Sequence, residues 1–388
     1  MLKKMLKSYD YSLIIVMVLL SLFGLVMVYS ASMVWAVQRY GLPSDFFYQR
    51  QKMFLIGAFI VFLCAALFPY KMMKSNKILG FIVVMSLFGL MSLFVFGHIA
   101  GNAQSWFKIG GLSLQPSEFT KIAVIIYLSA VYAKKQSYIN EFNKGVVPPL
   151  VYIVLVCILV VIQPDFGTAL IIFLIAAAII LSSGMNWKNI SKLIMIGILV
   201  ASPVVLVMKD DLFTKEQRER FEAVKNPFKD EQNTGFQLTN SLLAIGSGGI
   251  NGLGLGKSIQ KLGYLPESHT DFIMAVIAEE LGVWGVSFVI LSLGYIVLRG
   301  IYIALKCRDP FGSLLAIGIS SMIGIQSFIN LGGISGLIPL TGVPLPFISY
   351  GGSSLLQLSI AMGILVNVSM FVNYEEKYKK NNEKKIVA

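Results

Sequence analysis

Apolar runs about twenty residues long recur along this chain, at roughly 12–32, 53–69, 78–97, 117–133, 147–163, 167–183, 190–208, 271–298, 311–331 and 354–373. At about 1.5 Å of rise per residue, a helix of that length crosses the roughly 30 Å hydrocarbon core of a bilayer. Composition agrees. Of the 388 residues, 56% are hydrophobic and 13% charged, against about 25% charged in soluble domains. The expected fold is an all-α polytopic membrane protein of ten transmembrane helices, one integral-membrane domain over 1–388. The break at Gln163-Pro164-Asp165-Phe166-Gly167 has room only for a tight hairpin turn. The alternative, one kinked helix over 147–183, is too long for a single span. Lys3, Lys4 and Lys7 precede an apolar run too long for a signal-peptide core, so the first run is read as an uncleaved helix.

The net charge of +12 must be divided by membrane side before any partner is inferred from it. With the N-terminus inside, the inner segments 1–11, 70–77, 134–146, 184–192, 299–310 and 374–388 hold nineteen Lys and Arg. The short outer segments hold five: Arg39, Arg50, Lys52, Lys108 and Lys121. The other eight lie in the long outer segment 209–270, and long loops are discounted in this rule. The expected topology is N-in/C-in, with a large extracellular loop between helices 7 and 8. The basic inner loops then serve topology, and no nucleic-acid partner is expected. Cys64 and Cys157 fall in apolar runs and Cys307 in a basic loop, so no disulfide framework is suggested.

The outer segments carry the unusual sequence. Residues 214–224 have a cap-like Thr214 and helix formers, and 234–246 are amphipathic. Residues 331–353 are apolar but broken by glycines and by Pro339, Pro344 and Pro346. Irregular backbone at membrane depth persists only where protein buries it or a cavity receives it. An irregular segment capping an outer cavity is therefore expected. The glycine-rich stretch 246–258 fails as a phosphate loop, because Asn251 stands where both patterns require glycine. With only His98 and His269, H-E-x-x-H is absent and a histidine-rich zinc site is not expected.

Several polar residues remain at the outer ends of the spans. Arg50 and Gln51 precede the second. Ser105 and Trp106 lie between the third and fourth. Gln115-Pro116-Ser117-Glu118 open the fourth, with Lys121 one turn further in. Asp165 lies in the hairpin, and Asp271 starts the eighth, two residues after His269. Bland roles exist for each. Glu118 serves a helix dipole or pairs with Lys121 at i+3, and Asp165 and Asp271 cap helices. Glu279 and Glu280 lie about 12 Å deeper than Asp271 and point in different directions from it, so neither is its close carboxylate partner. Intramembrane acids are nonetheless functional candidates by default.

Taken together, YLPESHTDF (264–272), AEELG (278–282), QPSEF (115–119), QPDFGTA (163–169), NTGFQLTNS (233–241) and PLPFISYGGSS (344–354) resemble the SEDS family of bacterial shape, elongation, division and sporulation proteins. The likeness runs from the first helix to the last and is nearest the division-type members. It implies a ten-helix bundle and a peptidoglycan glycosyltransferase, of the EC 2.4 class. Such an enzyme polymerises lipid II at the outer face of the bacterial cytoplasmic membrane, with a class B penicillin-binding protein transpeptidase and other division proteins as partners, at the septum. The family's essential aspartate falls on Asp271, its basic residue before the second helix on Arg50, its outer-loop tryptophan on Trp106, and its QPSEFxK lysine on Lys121. Ser105, Glu118 and His269 join these as candidate substrate-binding residues. Arg50 and Lys121 suit a pyrophosphate. Asp271 suits a general base or, alternatively, a ligand for Mg²⁺ or Mn²⁺. Two rivals remain at this level. A lipid II flippase would use polar groups through the midplane, where only Glu279 and Glu280 qualify. A non-catalytic division scaffold would leave Asp271 dispensable.

Overall fold

The computed structural model describes residues 2–100, 103–109, 112–207, 220, 222–229 and 235–379. Eleven longer helices are numbered here in chain order: α1 (Tyr11–Tyr40), α2 (Phe46–Leu67), α3 (Asn76–Phe96), α4 (Pro116–Lys134), α5 (Val147–Ile162), α6 (Phe166–Leu181), α7 (Trp187–Val207), α8 (Phe236–Gly248), α9 (Ile273–Lys306), α10 (Pro310–Ile334) and α11 (Gly352–Tyr374). Six of them, α1, α2, α3, α9, α10 and α11, are long and apolar enough to cross a membrane, while α5 and α6 are shorter apolar helices. The protein is a mostly helical, polytopic membrane fold.

Local sequence sets the ends of these helices. Ser75 caps α3 by accepting from the Ile78 N–H. Pro116 and Pro310 occupy the first positions of α4 and α10, where a missing N–H costs nothing. Asp165 caps α6 through the Thr168 N–H at 3.1 Å, so 147–183 is two helices and not one kinked rod.

Two features depart from an all-helical expectation. Between α3 and α4 the chain forms a three-stranded antiparallel sheet: β1 (His98–Ala100), β2 (Ala103–Ile109) and β3 (Leu112–Leu114). The irregular outer segment starts only after Ile334, because α10 extends past the expected 331. Of the 214–224 stretch, Arg220 and 222–224 are helical and the rest lies outside the described residues.

The centre of the bundle is α11, with 83% of its most apolar stretch buried, against 17% for α3 at the edge. Small residues set the closest approaches. A Cβ at Gly363 would lie 2.8 Å from the Phe62 carbonyl, so α11 meets α2 backbone to backbone.

α9 is two helices joined end to end. Gly282 adopts φ 58°, ψ −151°, a region that favours glycine. The glycine-rich turn after α8 fills the break. Leu253 N–H donates to Glu279 O and Gly254 N–H to Glu280 O, both at 2.9 Å, and Val283 N–H donates to Ile250 O at 3.1 Å. The stretch that mimicked a phosphate loop is therefore a splice in a membrane helix. Glu279 accepts from the Ser258 hydroxyl and, at 2.9 Å, from the Ile259 N–H. Glu280 binds Lys261 Nζ at 2.6 Å and the Ser30 hydroxyl at 2.7 Å.

Candidate functional site

Residues 349–353, at the start of α11, hold helix ends at one face of the bundle together. Ser349 Oγ donates to Thr270 O at 2.7 Å, and Tyr350 N–H donates to His269 O at 2.9 Å. Gly351 N–H donates to Gln51 Oε1 at 3.3 Å. Ser353 Oγ donates to Ser113 O and accepts from the Gln115 N–H, each at 3.1 Å. Gln115 Nε2 in turn donates to Asp165 Oδ2 at 3.0 Å. Three stretches separated from it in sequence by as much as 300 residues, at Gln51, 113–115 and 269–270, thus bond one short turn, and Asp165 joins through Gln115.

On one side of that turn stands Asp271. It does not cap α9, whose N-terminal flank is Phe272. Among the described residues its carboxylate accepts no hydrogen bond, while its backbone carbonyl is held by Asn330 Nδ2 at 2.8 Å. The same Asn330 amide holds Val343 O at 2.8 Å. A Cβ at Gly342 would lie 3.4 Å from Asp271 Oδ2, so the irregular segment passes directly over the carboxylate. Glycine there, at φ +72°, leaves the oxygen room. The Asp271 side chain keeps some exposure. Dense turns around it nevertheless displace enough water that burial pushes its pKa up to about 7, with Glu267 adding and Arg220 opposing.

Arg50 lies across the same turn. Its guanidinium sits 4.9 Å from the Phe46 ring centroid and hydrogen-bonds the Tyr350 side chain. His269 is buried, its ring 4.5 Å from that of Phe47 and 5.7 Å from that of Tyr350. Burial pushes this imidazole down to about 4, so it is neutral near pH 7, and among the described residues its Nδ1 lacks a partner.

On the other side of the turn is the α4 entrance. Lys121 Nζ binds Glu118 Oε1 at 2.8 Å, and both side chains are almost fully buried. The i,i+3 pairing weighed from sequence is therefore made, and the Lys121 ammonium is already partnered. Among the described residues, Glu118 Oε2 and the hydroxyls of Ser117 and Ser105 are buried without hydrogen-bond partners. Native proteins rarely leave such atoms unsatisfied. The two of them in the first turn of α4, on Ser117 and Glu118, are what a polar ligand would complete. Asp165, held up by burial, adds a second carboxyl. Trp106 pairs with His98 in the β1–β2 ladder and is partly exposed. An apolar recess of about 380 Å³ opens beside Pro116, between α3, α4 and the hairpin, lined by Phe81, Met85, Phe107, Phe119 and Ile360.

The structure thus forms two groups around residues 349–353: Asp271, His269 and Arg50 on one side, Glu118 and Lys121 on the other. Sequence reasoning passed over Tyr350 and Ser353 inside a motif it quoted. It also missed Asn330, a lone amide in an apolar run, and Arg220, one basic residue of eight in the outer loop. No local pattern distinguishes these last two. Among the described residues no three His, Cys, Asp or Glu side chains gather as a metal site. A cation held by protein alone does not fit. Mg²⁺ commonly takes only one or two carboxylates and binds the substrate's phosphates besides.

A family model described as a cell cycle protein, covering FtsW, RodA and SpoVE, matches residues 10–374. The chain is 61% identical to a probable peptidoglycan glycosyltransferase, FtsW, of Bacillus subtilis, across 98% of this chain and 95% of that one. It is 39% identical to the stage V sporulation protein E of the same organism, across 95% and 98%. Among solved structures, a chain from a peptidoglycan synthase complex described as coordinating polymerization and crosslinking superposes with TM-score 0.73 at 23% identity, over 94% of this chain and 98% of that one. The rod shape determining protein RodA of Thermus thermophilus superposes with TM-score 0.63 at 23% identity, over 95% and 98%.

Proposed function

Because the chain belongs to the FtsW, RodA and SpoVE family of cell cycle proteins, we propose that it is a peptidoglycan glycosyltransferase that polymerises lipid II at the outer face of the cytoplasmic membrane during division. The observation that carries this reading is the convergence of Asp271, Arg50 and the α4 entrance on residues 349–353. Ten spans with both termini inside and the 209–270 loop outside put that convergence on the outer face. A septal location and a class B transpeptidase partner complete the reading.

In the proposed reaction Asp271 removes the proton from the GlcNAc 4-hydroxyl of one lipid II. That oxygen attacks C1 of the terminal MurNAc of the growing chain from the face opposite the phosphate. The C1–O bond breaks with inversion, and its electron pair leaves on undecaprenyl pyrophosphate. A carboxyl with a pKa near 7 is matched to this task at neutral pH. Arg50 receives a phosphate, for which guanidinium offers bidentate donors. The unsatisfied Glu118, Ser105 and Ser117 atoms take sugar or peptide groups, with Lys121 and Trp106 beside them. The recess between α3 and α4 suits a polyprenyl chain. Any Mg²⁺ would arrive on the pyrophosphate, with Asp271 contributing an oxygen.

The flippase alternative loses its only midplane acids, since Glu279 and Glu280 are both taken up by the helix splice. The test is purified full-length protein, with and without its transpeptidase, given lipid II in detergent with penicillin present. Gel-resolved glycan strands are expected, and Asp271→Asn should reduce them about 10²–10⁴-fold. Near-normal product from folded Asp271→Asn would falsify the catalytic role.

A further inference from the structure

Asp271 has a cationic neighbour that no motif contains. Arg220 comes from the outer loop, far from α9 in sequence, and its Nη1 donates to Leu340 O at 3.1 Å. Leu340 lies two residues before Gly342, whose Cβ position touches Asp271 Oδ2. The guanidinium is thus anchored on the turn that covers the carboxylate, close enough to act on its charge. A guanidinium has five N–H donors, and the Leu340 carbonyl takes one. Among the described residues no carboxylate lies within ion-pair distance of it, and its side chain is exposed. A solvated arginine tethered at one nitrogen beside a reactive carboxylate is arranged to take an anion.

From this geometry we propose that Arg220 binds a phosphate of the lipid-linked substrate beside Asp271, as a second anion-binding residue opposite Arg50. The inference rests on the glycosyltransferase reading above and deepens it. It gives the departing pyrophosphate, which gains charge as C1–O breaks, a cation at the carboxylate's own rim. A developing negative charge is where a fixed cation stabilises most. The same placement makes Arg220 a local control on Asp271. The charged and titratable groups around that carboxylate are Glu267 and His269 on its own turn, Arg220 from the outer loop, and Arg50 and Tyr350 across residues 349–351. The 340–342 turn and Asn330 bring none. Removing Arg220 therefore takes away the cation of the outer loop that opposes Glu267.

The test uses full-length Arg220→Ala, Arg220→Lys and, as a charge-matched control, Lys225→Ala, which is likewise exposed and helical. Glan synthesis is followed across lipid II concentration and pH, with inorganic pyrophosphate as competing anion. Arg220→Ala should raise KM at least tenfold, blunt inhibition by pyrophosphate, and move the acid limb of the kcat/KM profile to higher pH. Arg220→Lys should keep the acid limb near wild type while recovering only part of the KM, because lysine is a point charge without the fork. Lys225→Ala should change none of these. If Arg220→Ala keeps KM, pyrophosphate inhibition and the pH profile within about twofold, the assignment is overturned. A fall in kcat with pyrophosphate inhibition and the acid limb unchanged overturns it too, since an arginine that meets neither the anion nor the Asp271 charge is only a structural contact with Leu340. If wild-type protein makes no glycan, the failure belongs to the underlying reading instead.

Discussion

Lys261 Nζ lies 2.6 Å from Glu280 Oε1, and both side chains are sealed from solvent. Ser30 on α1 bonds both partners, at 2.9 Å to the lysine and 2.7 Å to the glutamate. This pair fastens the segment before α9 to the N-terminal part of α9 and to α1. Buried ion pairs contribute little net stability over apolar packing, yet losing one partner leaves a stranded charge. Glu280→Ala should therefore cost about 3–5 kcal/mol, while a Glu280→Met, Lys261→Met double variant should recover most of it. Thermal unfolding in detergent reads both. Equal stabilities for single and double variants would contradict the pairing argument.

The splice at Gly282 makes a sharper demand on glycine. A Cβ at Gly252 would overlap the carbonyl of Glu280, and one at Gly282 would overlap that of Ile250, whereas Gly246 has open space. Gly252→Ala and Gly282→Ala should each yield little folded protein, and Gly246→Ala should behave as wild type. Fluorescence size-exclusion profiles of the three variants decide the matter. Normal profiles for all would mean the turn is not inserted into α9.

Titration of Asp271 should be visible in two ways. As a base it must be ionised, so glycan synthesis should rise about tenfold per pH unit below about 7 and level off above it. Stability should run the opposite way. A folded pKa above the unfolded value near 3.9 favours the protonated fold. Its contribution is fully present below about pH 4 and is lost as pH rises through about 7. Asp271→Asn, which stays neutral, should then melt above wild type at pH 8 and level with it at pH 4. A pH-independent rate between 5.5 and 7 would remove the base role.

Tyr350 should act through Arg50. Tyr350→Phe keeps the ring, which packs edge-on to Phe47 at 5.1 Å, and deletes only the hydroxyl that meets the guanidinium. A roughly three- to tenfold loss in kcat/KM is expected, about the worth of one hydrogen bond. In a double-mutant cycle with Arg50→Lys the two losses should be non-additive by at least about 0.5 kcal/mol. Strict additivity would show that Tyr350 does not position Arg50.

What the sequence determined by itself was the membrane character, the positions of most helices, and the short list from which the site is drawn. Those properties are local. Apolar length sets a span, Pro116 and Asp165 set helix starts, and the glycines and prolines after 334 forbid a regular helix. The i,i+3 spacing likewise made Glu118–Lys121 foreseeable. The tertiary structure alone decided what the remaining polar residues do. Glu279 and Glu280 are adjacent acids on one apolar helix, and nothing local shows that a glycine turn from the outer loop is spliced between them and Val283. Asp271, Asn330, Arg220 and Gly342 come from four separate stretches, and a pKa near 7 arises only when those stretches pack and exclude water. Desolvation and long-range hydrogen bonds are properties of neighbours in space, which a reading along the chain does not contain.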